Sequence, residues 1–99
     1  MITEFVKFKV LETTTDEQLI SKADIHINEF QKKQDGFIDT ELVKNVEENA
    51  WYFIFHYENL EKIKAVGEKM RNNKAFDKLN ALIVPGSICV TLYHQLRKW

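Results

Sequence analysis

Three features of the 99-residue chain predict an α+β fold of the order β-α-β-β-α-β, the ferredoxin-like arrangement, with a four-stranded antiparallel sheet and two helices on one face. Two stretches carry apolar residues at helical spacing, and four others are rich in strand formers. Residues 50–57, AWYFIFHY, follow the preceding strand through a short polar turn, which reads as a hairpin.

In residues 3–12, TEFVKFKVLE, the apolar Val6, Phe8 and Val10 alternate with Lys7 and Lys9, as a half-buried first strand requires. Thr14-Thr15-Asp16-Glu17-Gln18 has capping-box spacing, as Thr14 with Glu17 or Thr15 with Gln18, and starts a helix. Leu19, Ile20, Ala23, Ile27 and Phe30 then share one stripe, with Ile25 opposite and His26 at its edge. Gln34-Asp35-Gly36 closes that helix, because glycine tolerates the left-handed cap. GFIDTELVKN is the second strand, with Ile38 and Leu42 on one face, and residues 46–49 turn into AWYFIFHY. Asn59 is suited to cap the next helix, whose stripe is Leu60, Ile63, Val66, Gly67 and Met70. A glycine within a helix costs about 0.5–1 kcal/mol relative to alanine, so Gly67 is expected to permit close approach to the sheet. A short helical piece around 74–82 and a Pro85-Gly86 turn lead to the last strand, SICVTLYHQL. With no linker, repeat or low-complexity tract, residues 1–99 read as one domain.

Composition narrows the partners. Lys and Arg number 14 against 15 Asp and Glu, so there is no basic surface for nucleic acid or an anionic membrane, and neither partner is expected. Cys89 is alone, which excludes an internal disulfide, suits a reducing compartment and, without a signal-like start, points to the cytoplasm. A single strand cysteine with no catalytic partner is expected to be inert.

The third strand has two apolar faces: Trp51, Phe53, Phe55 and Tyr57 on one, Tyr52, Ile54 and His56 on the other. The helices cover one. An uncovered aromatic patch is unusual for a monomer, and burying each such ring is worth about 1.5–3 kcal/mol. A homodimer related by a two-fold axis is the simplest cover.

The element order, the stretch FIFHYENLEKI and the segment NKAFDKLNALI resemble the dimeric α+β barrel superfamily, and within it antibiotic biosynthesis monooxygenase-like proteins. The resemblance implies a dimeric α+β barrel, a small hydrophobic or aromatic ligand, and oxygenation with no metal, flavin or other cofactor. Similar proteins often end the third strand in Trp and carry a cleft histidine in the following helix. Tyr57 stands at the first position, and Val66 or Gly67 at the second.

Chemistry of this kind needs an apolar cavity that excludes water and a base or hydrogen-bonding group near the substrate hydroxyl. The catalytic candidates are Tyr57 and His56, at the end of the aromatic strand. Phe76 matches an aromatic at the cleft mouth of similar proteins. Lys9, Phe53, Phe55, Phe76 and Tyr93 are the ligand-binding candidates. Asp39 and Glu41 share a strand face and are available to pair with Lys7 and Lys9, the other reading being that these charges lie at the rim in water. His56 and His94 lie on strands that the first strand separates, and no zinc spacing occurs, so no metal site is expected. Two readings follow: a cofactor-independent monooxygenase-like enzyme, or a non-catalytic small-molecule-binding or structural dimer of the same fold. Haem degradation, a third, requires an axial ligand, and no histidine lies between Tyr57 and Tyr93.

Overall fold

The structure is a computed structural model describing residues 1–99. The chain runs β1 (Ile2–Phe8), α1 (Asp16–Glu29), a 3₁₀ turn (Gln31–Lys33), β2 (Phe37–Lys44), β3 (Trp51–Tyr57), α2 (Leu60–Met70), α3 (Lys74–Asn80) and β4 (Cys89–His94). All neighbouring strands are antiparallel, in the order β2-β3-β1-β4. The ferredoxin-like topology expected from the residue pattern is therefore present.

The barrel is not. The sheet is open, and β2 and β4 are its two unpaired edges. Closing a sheet whose interior is filled by side chains takes about eight strands, twice the number here, so these four twist without meeting. The helical layer holds the two expected helices and the short helical piece expected around 74–82. That piece, α3, starts where Asn73 accepts a hydrogen bond from the Phe76 amide and caps it.

Strand register decides which residues meet the helices. Ile2, Glu4, Val6 and Phe8 lie opposite Tyr57, Phe55, Phe53 and Trp51, so these eight residues share one face. Thr40 and Leu42 of β2, and Val90 and Leu92 of β4, extend it. Phe8, Phe53 and Phe55 stack at successive centroid distances of 5.4 Å within one continuous core. A register shift between Phe37 and Asp39 interrupts the alternation of β2. Phe37 therefore packs beside Tyr57 and Ile38 is left 43% exposed, where simple alternation pairs Ile38 with Leu42.

Thr15 and Gln18 form the capping box of α1, the second of the two pairings the spacing permits. The buried line of α1 is Leu19, Ala23, His26, with Phe30 just beyond, so His26 is central and Ile20 lies outside it at 50% exposure. On α2 only Val66 is fully buried, while Ile63 and Met70 pack on the core's margin. A Cβ at Gly67 would meet nothing within 4 Å. Close approach to the sheet is thus not what places a glycine there.

Candidate functional site

A cavity of about 200 Å³ lies between the sheet and the helices. Its floor is built from alternate residues of the strands: Glu4, Val6 and Phe8 of β1, Phe53 and Phe55 of β3, and Val90 of β4 with Ile88 just before it. Its roof is His26 of α1, Gln31 of the 3₁₀ turn, Met70 of α2, Phe76 and Leu79 of α3, and Ile83. The lining is apolar except for Glu4, His26 and Gln31, the small number of polar groups typical of a ligand pocket.

Two of those three belong to one hydrogen-bonded chain. The Tyr57 hydroxyl donates to Gln31 Oε1 at 3.0 Å, and the Gln31 amide nitrogen stands 3.4 Å from His26 Nε2. An amide NH₂ can only donate, so Nε2 accepts and the imidazole proton sits on Nδ1. The ring is held between Phe30, at 5.4 Å and nearly parallel, and Phe76 at 5.5 Å. Burial pushes the His26 pKa down to about 4, so the ring is neutral at physiological pH. Its Nδ1 is buried and has no partner.

Glu4 is an acid on an inward-facing strand position. Burial raises its pKa above the ordinary carboxylate value. It lines the cavity and forms no salt bridge. Burial, and secondarily the Glu4 charge, raise the Tyr57 phenol well above its usual value, so it stays protonated and serves as a donor.

The candidates read from the sequence divide between two faces of the sheet. Phe53, Phe55 and Phe76 line the cavity, and Tyr57 is buried behind Gln31. His56 is on the opposite face, where its Nδ1 lies 2.6 Å from Asp39 Oδ1. Tyr93 is on that face too, with its ring 5.2 Å from Phe5. Lys9 follows β1 and is exposed; its backbone amide bonds Ser87 Oγ at 3.1 Å. Lys7 is also on the outer face, but its partners are Glu48 at 3.9 Å and the Tyr52 ring rather than Asp39 or Glu41.

Glu4, His26 and Gln31 were not singled out by residue pattern. Glu4 carried a signal, since it has the parity of Val6 and Phe8 and so is an acid on an apolar face. His26 carried a weaker one, seven residues after Leu19. Gln31 gave none, because only the 3₁₀ turn after α1 swings it inward. No three His, Cys, Asp or Glu side chains cluster as a metal donor set.

No protein-family model matches this sequence, and no curated protein matches it. Solved structures do. A monooxygenase from the gene ActVA-Orf6 of Streptomyces coelicolor, in complex with the ligand nanaomycin D, is similar at a TM-score of 0.78 and 16% identity, covering 99% of this chain and 89% of that one. SnoaB, a cofactor-independent oxygenase from Streptomyces nogalater, is similar at a TM-score of 0.72 and 16% identity, covering 98% and 94%. A point mutant of MhuD with two manganese protoporphyrin IX bound per active site is similar at a TM-score of 0.75 and 14% identity, covering 100% and 98%. At such identities the likeness is one of fold: this chain shares the ferredoxin-like fold of these structures along nearly its whole length.

Proposed function

We propose that this protein is a cofactor-independent, monooxygenase-like enzyme acting on a small hydrophobic or aromatic molecule held between the sheet and the helices. The observation that carries this reading is the apolar cavity with Glu4 unpaired at its wall. A cavity of about 200 Å³ lies below the roughly 300–1,000 Å³ usual for drug-sized ligands, which favours a compact one- or two-ring substrate and disfavours a tetrapyrrole. The folds of SnoaB and the ActVA-Orf6 monooxygenase support the class of chemistry.

In such a reaction an electron-rich substrate supplies its own electrons: a ring CH₂ and dioxygen become a ring C=O and water. Glu4 is the base that removes the activating proton, its raised pKa bringing it closer to neutral pH. Phe53, Phe55 and Phe76 clasp the rings, and Tyr57 acts through Gln31. The half-buried outer face, where Phe5 packs with Tyr52 and Tyr93, supports association of two copies. No helix is long and apolar enough to cross a membrane.

An oxygen electrode with a panel of one- and two-ring phenols, 1-naphthols among them, tests the proposal. Uptake above the buffer control, lowered about 10²–10⁴-fold by Glu4→Gln, is expected. Thermal shifts without any uptake would instead favour a non-catalytic binding protein, a reading to which the non-histidine Val66 and Gly67 of α2 lend support.

A further inference from the structure

Every residue of β4 is exposed, although the strand supplies part of the cavity wall. Ile88 and Val90 line the cavity and are still 43% and 52% exposed, so the cavity is open along this edge of the sheet. Leu92 continues the same apolar strip, and just past β4 the side chains of Leu96 and Trp99 are almost wholly exposed. We propose that residues 96–99 of a second copy close this opening, seating Leu96 and Trp99 on Ile88, Val90 and Leu92, so that the ligand site is completed in trans. The inference rests on the two readings above, that the cavity holds a ligand and that two copies associate, and adds what the second copy supplies.

Reach excludes the chain's own segment. The Gln95 amide donates to the Met1 carbonyl at 3.0 Å, which holds the chain beside the start of β1 as it leaves the sheet. The start of β4, where the cavity opens, lies about 20 Å back along the strand. Residues 96–99 extend at most about 14 Å, and they set out in the opposite direction. Complementarity favours the segment of another copy. Leu96 and Trp99 match an apolar strip, and Arg97 and Lys98 between them suit Glu4, the acid paired with Leu92 across the sheet, which forms no salt bridge. The path is short, because β4 is an edge strand with Tyr93 on the outer face, beside Phe5, and Leu92 on the inner one. A copy packed on the outer face has only this edge to pass. Closure also meets the demand of the proposed chemistry, since a site walled by half-exposed Ile88 and Val90 does not exclude water and an apolar cover does.

Cross-linking in a Cys89→Ser background tests the contact. Ile88→Cys and Leu96→Cys, carried on separate, differently tagged chains and mixed, should form a disulfide-linked pair under mild oxidation. Val46→Cys, almost fully exposed and far from β4 in the sheet, should not link to Leu96→Cys. Calorimetry with 1-naphthol tests closure: Leu96→Ser/Trp99→Ser should bind it about 10-fold or more weakly than wild type. In the wild type, 1-naphthol should in turn strengthen association, because a ligand that prefers the closed cavity favours the pair that closes it. A wild-type dimer that binds 1-naphthol but gives no Ile88–Leu96 cross-link, or whose association 1-naphthol leaves unchanged, would overturn this inference alone. A monomer at every concentration would overturn the association reading with it, and a dimer that binds no 1-naphthol would overturn the ligand-site reading with it. Should the double variant not fold, the cross-link and the wild-type coupling still decide.

Discussion

The phenol of Tyr57 donates to Gln31 Oε1 at 3.0 Å, and both side chains are almost fully buried, although they come from the end of β3 and from the turn after α1. Tyr57→Phe leaves the ring in place and the Gln31 carbonyl without its donor. Stability should fall by about 1–3 kcal/mol, the range for orphaning a buried polar group. Denaturant melts at neutral pH measure it; an unchanged midpoint would mean that the Gln31 amide finds another partner.

The neutral state of His26 makes stability depend on pH. The unfolded chain takes up a proton at this residue below about pH 6.5, whereas the folded chain does so only near pH 4. Its contribution is complete above pH 6.5 and declines as the pH falls toward 4, by at most about 1.4 kcal/mol per pH unit. Glu4 acts in the other direction: with its folded pKa raised, the stability it contributes is present at low pH and is lost as pH rises through the folded value. Comparing wild type with His26→Phe in urea at several pH values isolates the histidine, and the variant should lack part of the acid-side decline. Parallel curves would exclude a depressed His26 pKa.

Two glycines should respond oppositely to alanine. Gly36 has φ +87°, and a Cβ there would collide with the Lys62 side chain, so Gly36→Ala should destabilise by about 1–2 kcal/mol. Gly67 is helical with open space around it, so Gly67→Ala should stabilise by about 0.5–1 kcal/mol. Thermal melts of the two variants are the check, and a destabilised Gly67→Ala would point to a packing demand at α2.

Leu79 is almost wholly buried and lines the cavity. Leu79→Ala should cost about 2–5 kcal/mol and enlarge the cavity. Naphthalene-sized probes should then bind more tightly than to wild type. If the cavity is the ligand site, stability and ligand size preference must change together.

Association should depend on the face away from the helices. Light scattering is expected to give twice the 11.7 kDa chain mass, and Phe5→Asp, placing a charge between Tyr52 and Tyr93, should shift the protein toward monomer. Leu96 and Trp99 are 95% and 99% exposed in the single chain, so deleting 96–99 should weaken the dimer if the tail reaches across it. A monomeric wild type would remove the basis for both.

Periodicity and capping residues alone were enough to read the element order: the alternation of Val6 and Phe8 with Lys7, the Thr15–Gln18 box and the aromatic hairpin are local signals, and local sterics and hydrogen bonding produce them. The aromatic face of Phe53 and Phe55 was legible for the same reason. Which residues converge on the cavity was not. Glu4 and His26 are brought to it from elements separated in sequence, by strand register and by the rotation of α1, which follow from packing energies summed over the whole core. His56 and Tyr57 are adjacent in sequence, yet the pleat sends them to opposite faces, and only the placement of the helices decides which face encloses a cavity. The open sheet is equally a tertiary outcome, since whether four strands close on themselves depends on strand number and twist rather than on any residue within them.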